Sequence, residues 1–241
     1  MSILILDTET TSLDANSRLV QLAYKNLETG DLVNEFFKPP MPISYGAMAT
    51  HHITNEMVLT KPVFEISKTK ATLQKLLQDG ILVAHNALFD INILKNEGVV
   101  IGKYIDTLRL SKHLLSCERY DLQYLRYFLN LNVVEAAAHD ALGDITILEK
   151  LFEHLKTVLK EKLNLKDDQE IFEKMIELTL APVLLNKISF GKHKGKTFEE
   201  INQVDPGYLK WLFESESKKT QREQNEELIY TLKKHIYLDK A

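Results

Sequence analysis

Asp7 and Glu9 stand two residues apart at the end of the apolar run Ile3-Leu4-Ile5-Leu6. Side chains at i and i+2 of a strand point to the same face. A buried strand over residues 3–6 therefore projects both carboxylates from one side at its end. Two anions held together there repel each other and lose hydration. A divalent cation between them relieves both costs. Asp90 lies in Val83-Ala84-His85-Asn86-Ala87-Leu88-Phe89-Asp90, near the first turn of an expected helix. His139 and Asp144 lie in His139-Asp140-Ala141-Leu142-Gly143-Asp144 and open another, next to the apolar Ile145.

Each position taken singly also has an ordinary explanation. An acid two residues from another is often a solvated loop acid. Asp90 suits the positive end of a helix, His85 and Asn86 can satisfy backbone groups at its entry, and His139 can cap. Together, four carboxylates and one histidine at element edges describe a chemistry. Hard cations such as Mg²⁺ take few protein oxygens and the rest from substrate phosphates. Two ions about 3.5–4 Å apart can hold the attacking and leaving oxygens of a phosphoryl transfer. A histidine whose ordinary pKa is about 6.5 can take the proton of the attacking water. Zinc would call for closely spaced histidine or cysteine, which the chain lacks.

The elements that must position these groups can be read from pattern. Residues 19–24 and 32–37 are β-rich runs around a turn at 26–31, which makes a hairpin, and Pro39, Pro40 and Pro42 stop it. Short helices and loops are expected over 44–60 and a helix over 63–79, ended by Gly80. A strand at 81–84 leads into a helix from Ala87 that ends near Gly98. A last strand at 104–107 precedes helices over 107–116, 121–129 and 139–160. Residues 161–183 read as a charged helical linker. From about 184 the chain restarts with Ile188-Ser189-Phe190, a basic turn, and helices over 197–203, 205–216 and 221–237. Strands followed by alternating strands and helices give an α/β chain with a mixed sheet flanked by helices.

With 241 residues and 44% hydrophobic content, the chain can fill one large domain with a small appendage. The net charge of −4 assigns any nucleic-acid role to a local patch rather than to the whole chain. Cys117 is the sole cysteine, so an intrachain disulfide is excluded, and a reducing compartment fits. The first residues lack the pattern of a secretory signal, and the expectation is a soluble cytoplasmic protein with no membrane partner.

The motifs resemble those of the DEDDh group of 3′–5′ exonucleases on the ribonuclease H-like fold. The first matches Asp7-Thr8-Glu9-Thr10-Thr11-Ser12-Leu13, the second His85-Asn86-Ala87-Leu88-Phe89-Asp90, and the third the pair His139 and Asp144. The stretch from Pro42 to Thr54, and Ile188 to Lys196 with Asp205-Pro206-Gly207-Tyr208-Leu209-Lys210-Trp211-Leu212-Phe213, are similar to the exodeoxyribonuclease X-like group within it. The resemblance implies an exonuclease domain over 1–160 and a small C-terminal α+β module over 184–241, with the charged linker at 161–183 outside it. It implies that Asp7, Glu9, Asp90 and Asp144 hold two Mg²⁺, with Mn²⁺ able to substitute, and that His139 is the general base. Thr8, Thr10, Leu13, Ala49, His51, His85 and Asn86 would receive the terminal nucleotide. The implied partner is DNA with a 3′ end. RNA is the alternative substrate, and a second copy of the chain or a polymerase are alternative protein partners. The chain departs from the family pattern at Ser12, where glycine is usual, at Gln21, where an acid is usual, and at Asp121, where serine is common.

Two features bear on polymer binding. Leu13 could lie beside a terminal base, although packing against the hairpin is the simpler expectation. The turn carrying Lys187, Lys192, His193, Lys194 and Lys196 contrasts with the acidic balance of the chain and suits phosphate contact. Phe190, Tyr208 and Trp211, with Leu212, are expected to serve mainly as core.

Overall fold

The computed structural model describes residues 1–131, 141–220 and 224–237. The chain divides into two compact units, Met1–Thr179 and Leu180–Ala241.

The first unit is built on five strands: β1 (Ile3–Thr10), β2 (Leu19–Asn26), β3 (Leu32–Phe36), β4 (Ile81–Ala84) and β5 (Lys103–Asp106). Their order is β3-β2-β1-β4-β5. The β1–β2 and β2–β3 pairs are antiparallel, and the β1–β4 and β4–β5 pairs are parallel. The helices are α1 (Tyr45–His51), α2 (Asn55–Val58), α3 (Lys68–Asp79), α4 (Ala87–Asn96), α5 (Thr107–Leu114), α6 (Leu122–Phe128), α7 (Ala141–Leu163) and α8 (Asp168–Leu180).

Central position explains the unbroken apolar run of β1, because helices cover both faces of the sheet. Leu4 and Leu6 pack on one face with Leu73 and Leu77 of α3 and Ile91 and Leu94 of α4. Ile5 packs on the other with Leu148, Leu151 and Phe152 of α7. The strand does not stop at Leu6. It continues to Thr10, paired with β2 through Glu9 and Gln21, and an irregularity follows between Glu9 and Thr10. An apolar run marks only the part of a strand that faces core. The polar continuation is held by its ladder and by what its side chains meet.

Gly80 joins α3 to β4 where only glycine fits. A Cβ there would run into the Leu76 carbonyl and lie 2.9 Å from the Ser2 carbonyl, to which Ile81 N–H donates at 2.9 Å. The segment expected as a linker contains α8, which buries Ile171, Phe172 and Met175 in the α7 side of the core. Its charges occupy the opposite face, which is why composition alone reads it as solvated.

The second unit holds α9 (Phe198–Val204), α10 (Pro206–Ser217) and α11 (Glu226–Tyr237). Among its described residues, the strand content is the isolated bridge between Lys187 and Thr197. Ile188, Phe198, Ile201, Leu209, Leu212, Leu228 and Leu232 form its core. Thr197 and Glu200 close a capping box at the start of α9. The aromatic expectation needs correction. Leu212 is buried and Tyr208 partly so, but Trp211 is 57% exposed and Phe190 43%. The short helices fill the core with leucines, isoleucines and Phe198, and Trp211 lies outside that cluster. No described helix is long and apolar enough to cross a membrane.

Candidate active site

Strand alternation assigns each acid its neighbours. Asp7 and Glu9 continue the Ile3 and Ile5 face of β1, the face covered by α7. Asp144 sits in the first turn of α7. One carboxylate oxygen from each of Asp7, Glu9 and Asp144 lies within 4.8 Å of the others, and all three side chains are partly exposed. Gln123 of α6 donates to Asp144 Oδ1 at 2.9 Å and fixes the orientation of that carboxylate. The spacing of Asp144 from Gln123 gives no hint of this pairing in sequence.

An all-oxygen donor set, open on one side, fits a hard divalent cation that also takes substrate oxygens. Among the described residues no histidine or cysteine joins the group, so the donors do not suit zinc.

Asp90 does not join that mutually close trio. It stands in the first turn of α4, on the face of β1 to which Leu4, Leu6 and Thr8 point. Its side chain is 2% exposed, and Thr8 Oγ1 donates to its Oδ1 at 2.7 Å. Burial pushes its pKa up to about 7, and the nearby Asp106 carboxylate adds to the rise, while the Thr8 hydrogen bond opposes it. Asp90 is therefore held ready to take a cation or a proton. His139 lies outside the described residues.

A cleft of about 470 Å³ adjoins Glu9, lined also by Thr10, Ser12, Leu13, Ser44, Gly46, Ala47, Thr50, His51 and Phe89. Of the residues expected to receive a nucleotide, Thr10, Leu13 and His51 line it. Thr8 turns away to Asp90. Ala49 is exposed on α1, where its neighbour Ala47 faces the cleft. His85 is bound by Thr107 Oγ1 at 2.9 Å and the Tyr120 carbonyl at 2.8 Å. Asn86 takes a left-handed conformation (φ 68°) at the entry of α4, and its N–H donates to Asp106 Oδ1 at 3.1 Å. Both thus support the turn that presents Asp90.

His51 has a fixed tautomer. Its Nδ1 accepts from Ile53 N–H at 3.0 Å, so Nε2 carries the proton it donates to the Thr10 carbonyl at 3.1 Å. Burial lowers its pKa and keeps the ring neutral. The bond ties α1 to the end of β1 and so shapes the wall of the cleft.

Leu13 does not pack on the hairpin; it is 89% exposed. The loop behind it is nonetheless braced. Asn96 Nδ2 donates to the carbonyls of Ala15 at 2.9 Å and Ser17 at 3.0 Å. Arg18 makes a two-pronged pair with buried Glu97, both bonds 2.8 Å. The Ser12 carbonyl accepts from Thr10 Oγ1 at 2.8 Å and from Ser17 Oγ at 2.7 Å. Neither Asn96 nor Glu97 is marked by sequence, because both are ordinary residues at a helix end. The other two departures also have local roles. Gln21, paired across from Glu9, is a buried neutral amide that donates to Asn34 Oδ1 at 2.9 Å, which spares Glu9 another like charge. Asp121 caps α6 by accepting from Tyr124 N–H at 3.0 Å, a task serine would also perform.

In the second unit, Lys187, Lys192, Lys194 and Lys196 are exposed or partly so, and His193 is buried. Lys192 and His193 both bind Asp205 Oδ2, at 2.6 and 2.9 Å. These two contacts hold the Asp205 carboxyl at about 2, below the usual carboxylate range.

Residues 4–152 match the exonuclease (RNase T) family, and residues 188–217 match the exodeoxyribonuclease X-like C-terminal family. The chain is 32% identical over 215 residues to exodeoxyribonuclease 10 of Escherichia coli (strain K12), covering 87% of this chain and 89% of that protein. It is 28% identical over 168 residues to the DNA polymerase III subunit epsilon of Buchnera aphidicola, covering 62% of this chain and 70% of that one. A solved structure of exonuclease X in complex with 5′ overhanging duplex DNA superposes with a TM-score of 0.55 at 27% identity, covering 73% of this chain and 99% of that chain.

Proposed function

Because the chain belongs to the RNase T exonuclease family, we propose that it hydrolyses the terminal phosphodiester at the 3′ end of DNA and releases nucleoside monophosphates. The observation that carries this reading is the convergence of Asp7, Glu9 and Asp144 within 4.8 Å beside an open cleft. Likeness to a DNA exodeoxyribonuclease over most of both chains supports DNA as substrate. Digestion of 3′-labelled and 5′-labelled single- and double-stranded DNA, with matched RNA, tests it. Label released first from the 5′ end, or RNA turned over in preference to DNA, would overturn the corresponding part.

In this reading Asp7, Glu9 and Asp144 would hold two Mg²⁺, with Asp90 as the fourth carboxylate and Mn²⁺ as a substitute. When bound, the ions supply Lewis-acid stabilisation of the attacking and leaving oxygens and a lowered pKa for the attacking water. Gln123 keeps the Asp144 carboxylate aimed, and Thr8 keeps Asp90 aimed. Thr10, Leu13 and His51 seat the terminal nucleotide in the cleft, Ala49 lies on the helix that walls it, and Thr8, His85 and Asn86 hold Asp90 and its turn. His139 accepts the proton of the water that attacks phosphorus, and the 3′ oxygen of the preceding nucleotide leaves. Lys187, Lys194 and Lys196 contact the polymer backbone, and Lys192 and His193 shape their turn. Similarity to polymerase III epsilon subunits supports testing for a polymerase partner by co-purification.

The buried Asp90 gives a pH-dependent prediction. Its pKa is about 7 when folded, against an ordinary value of 3.8. Between those values the folded chain keeps a proton that the unfolded chain has lost, so this stabilisation is complete below about pH 4 and lost as pH rises through 7. In EDTA, Tm therefore falls between pH 5 and pH 8, and Asp90→Asn flattens the fall, worth on the order of a few kcal/mol. Because the ligands must be deprotonated, Mg²⁺ raises Tm more at pH 8 than at pH 5. Thermal melts at the two pH values check both; equal slopes for the variant and the parent would remove Asp90 from the account.

Leu13 gives a second prediction. Leu13→Ala leaves Tm unchanged, because the side chain is already in water, yet lowers kcat/KM on DNA about tenfold through lost apolar contact with the terminal base. Unchanged kcat/KM would show that the side chain does not touch substrate.

A further inference from the structure

The second unit carries an aromatic and basic surface of its own. Trp211 is 57% exposed, and its ring centroid lies 5.6 Å from that of Tyr208, the two planes tilted by 37°. Tyr208 is itself fixed from several sides. His193 meets its ring edge-on at 4.8 Å, and Lys192 Nζ lies 5.4 Å from the ring centroid. Gly191, at φ 67°, comes so close that a Cβ would lie 2.7 Å from the tyrosine hydroxyl. Since Lys192 and His193 bind Asp205, their work is to hold the turn against Tyr208.

The remaining lysines have a different setting. Lys187, Lys194 and Lys196 are exposed, and residues 187–196 include no acid, in a chain whose net charge is −4. Three amides of the turn already donate internally: Lys194 to Gly191, Gly195 to Ile188 and Lys196 to His193. The exposed ammonium groups are then the main attraction for an anion. An acidic partner protein would satisfy the lysines, but it would not call for a flat indole backed by a second fixed ring.

We propose that Trp211, supported by Tyr208, is a stacking platform for a base of single-stranded DNA whose phosphates run along Lys187, Lys194 and Lys196. The choice of DNA rests on the exonuclease reading; the stacking surface does not. Every base has a π-face, so such a platform is tolerant of sequence and suits a chain that acts on successive nucleotides.

Trp211 is the chain's single tryptophan, so its own fluorescence reports the contact. The full chain in EDTA is titrated with oligodeoxythymidylate, which keeps hydrolysis out of the readout. Saturable quenching is expected, weakening with salt at a log–log slope of about −2 for three phosphate contacts. An abasic strand of equal length and charge should not quench. By anisotropy of a labelled strand, Trp211→Ala should bind about five- to a hundredfold more weakly. Trp211→Phe should bind within a few fold of the parent, and melts of both variants check folding. No quenching, equal quenching by the abasic strand, or unchanged binding by Trp211→Ala overturns the proposal and leaves the surface to a protein partner. Any of these would leave the exonuclease reading standing, and a chain unable to hydrolyse DNA would still quench if the platform is real.

Discussion

Asp7→Asn and Asp144→Asn each reduce hydrolysis by about 10³-fold or more, the scale of several kcal/mol of transition-state stabilisation that a held cation contributes. The replacements keep shape and remove charge. In Asp144→Asn the new amide would still offer a carbonyl oxygen to the Gln123 amide that now donates to Asp144, so orientation survives while affinity for the ion does not. The fold should survive as well, because both side chains are partly exposed and neither fills the core. Three carboxylates within 4.8 Å repel one another without a cation. In EDTA the variants therefore melt at or above the Tm of the parent, and the rise in Tm on adding Mg²⁺ shrinks or disappears. This opposition of signs separates a lost metal ligand from a damaged fold. Retained activity would sink the metal assignment, and a lower Tm in EDTA would show that the carboxylate is structural.

How far sequence reaches is clearest on β1. Two-residue alternation correctly puts Asp7 and Glu9 on one face. It cannot say that α7 covers that face or that Asp144 meets them there, since that depends on packing across the chain. The same alternation, carried one residue further, puts Thr8 on the opposite face with Asp90; nothing local announces that hydrogen bond. Hairpin and helix positions are legible because their periodicities and stops are local. What sequence misplaces shares one cause. The charged segment around α8, the exposed Trp211 and the exposed Leu13 are judged there by residue type. Burial is decided by which face a neighbour covers: α8 buries one stripe among its charges, and Trp211 is left outside a small core already filled by leucines. The brace of Asn96 and Glu97 behind Leu13 is invisible for the same reason.

His139→Ala is expected to lower kcat by about 10²–10⁴-fold at neutral pH. His139 lies outside the described residues, and its proposed role rests on the resemblance of its motif to the family's together with the following chemistry. A water must lose a proton as it attacks phosphorus, and a carboxylate engaged with a cation is not free to take it. An imidazole with an ordinary pKa of about 6.5 is half ready near that pH and fully ready above it. At saturating Mg²⁺, which removes the effect of Asp90 protonation on ion binding, kcat of the parent should rise with pH through the imidazole range and then level. His139→Ala should lose that step while keeping KM within a few fold and the Mg²⁺-induced rise in Tm intact. The last condition matters most: a residue that only positioned the start of α7 would disturb Asp144 and weaken the thermal response to Mg²⁺ together with the rate. An unchanged rate would remove His139 as the base, and a lost Mg²⁺ response would make it a positioning residue for Asp144 instead.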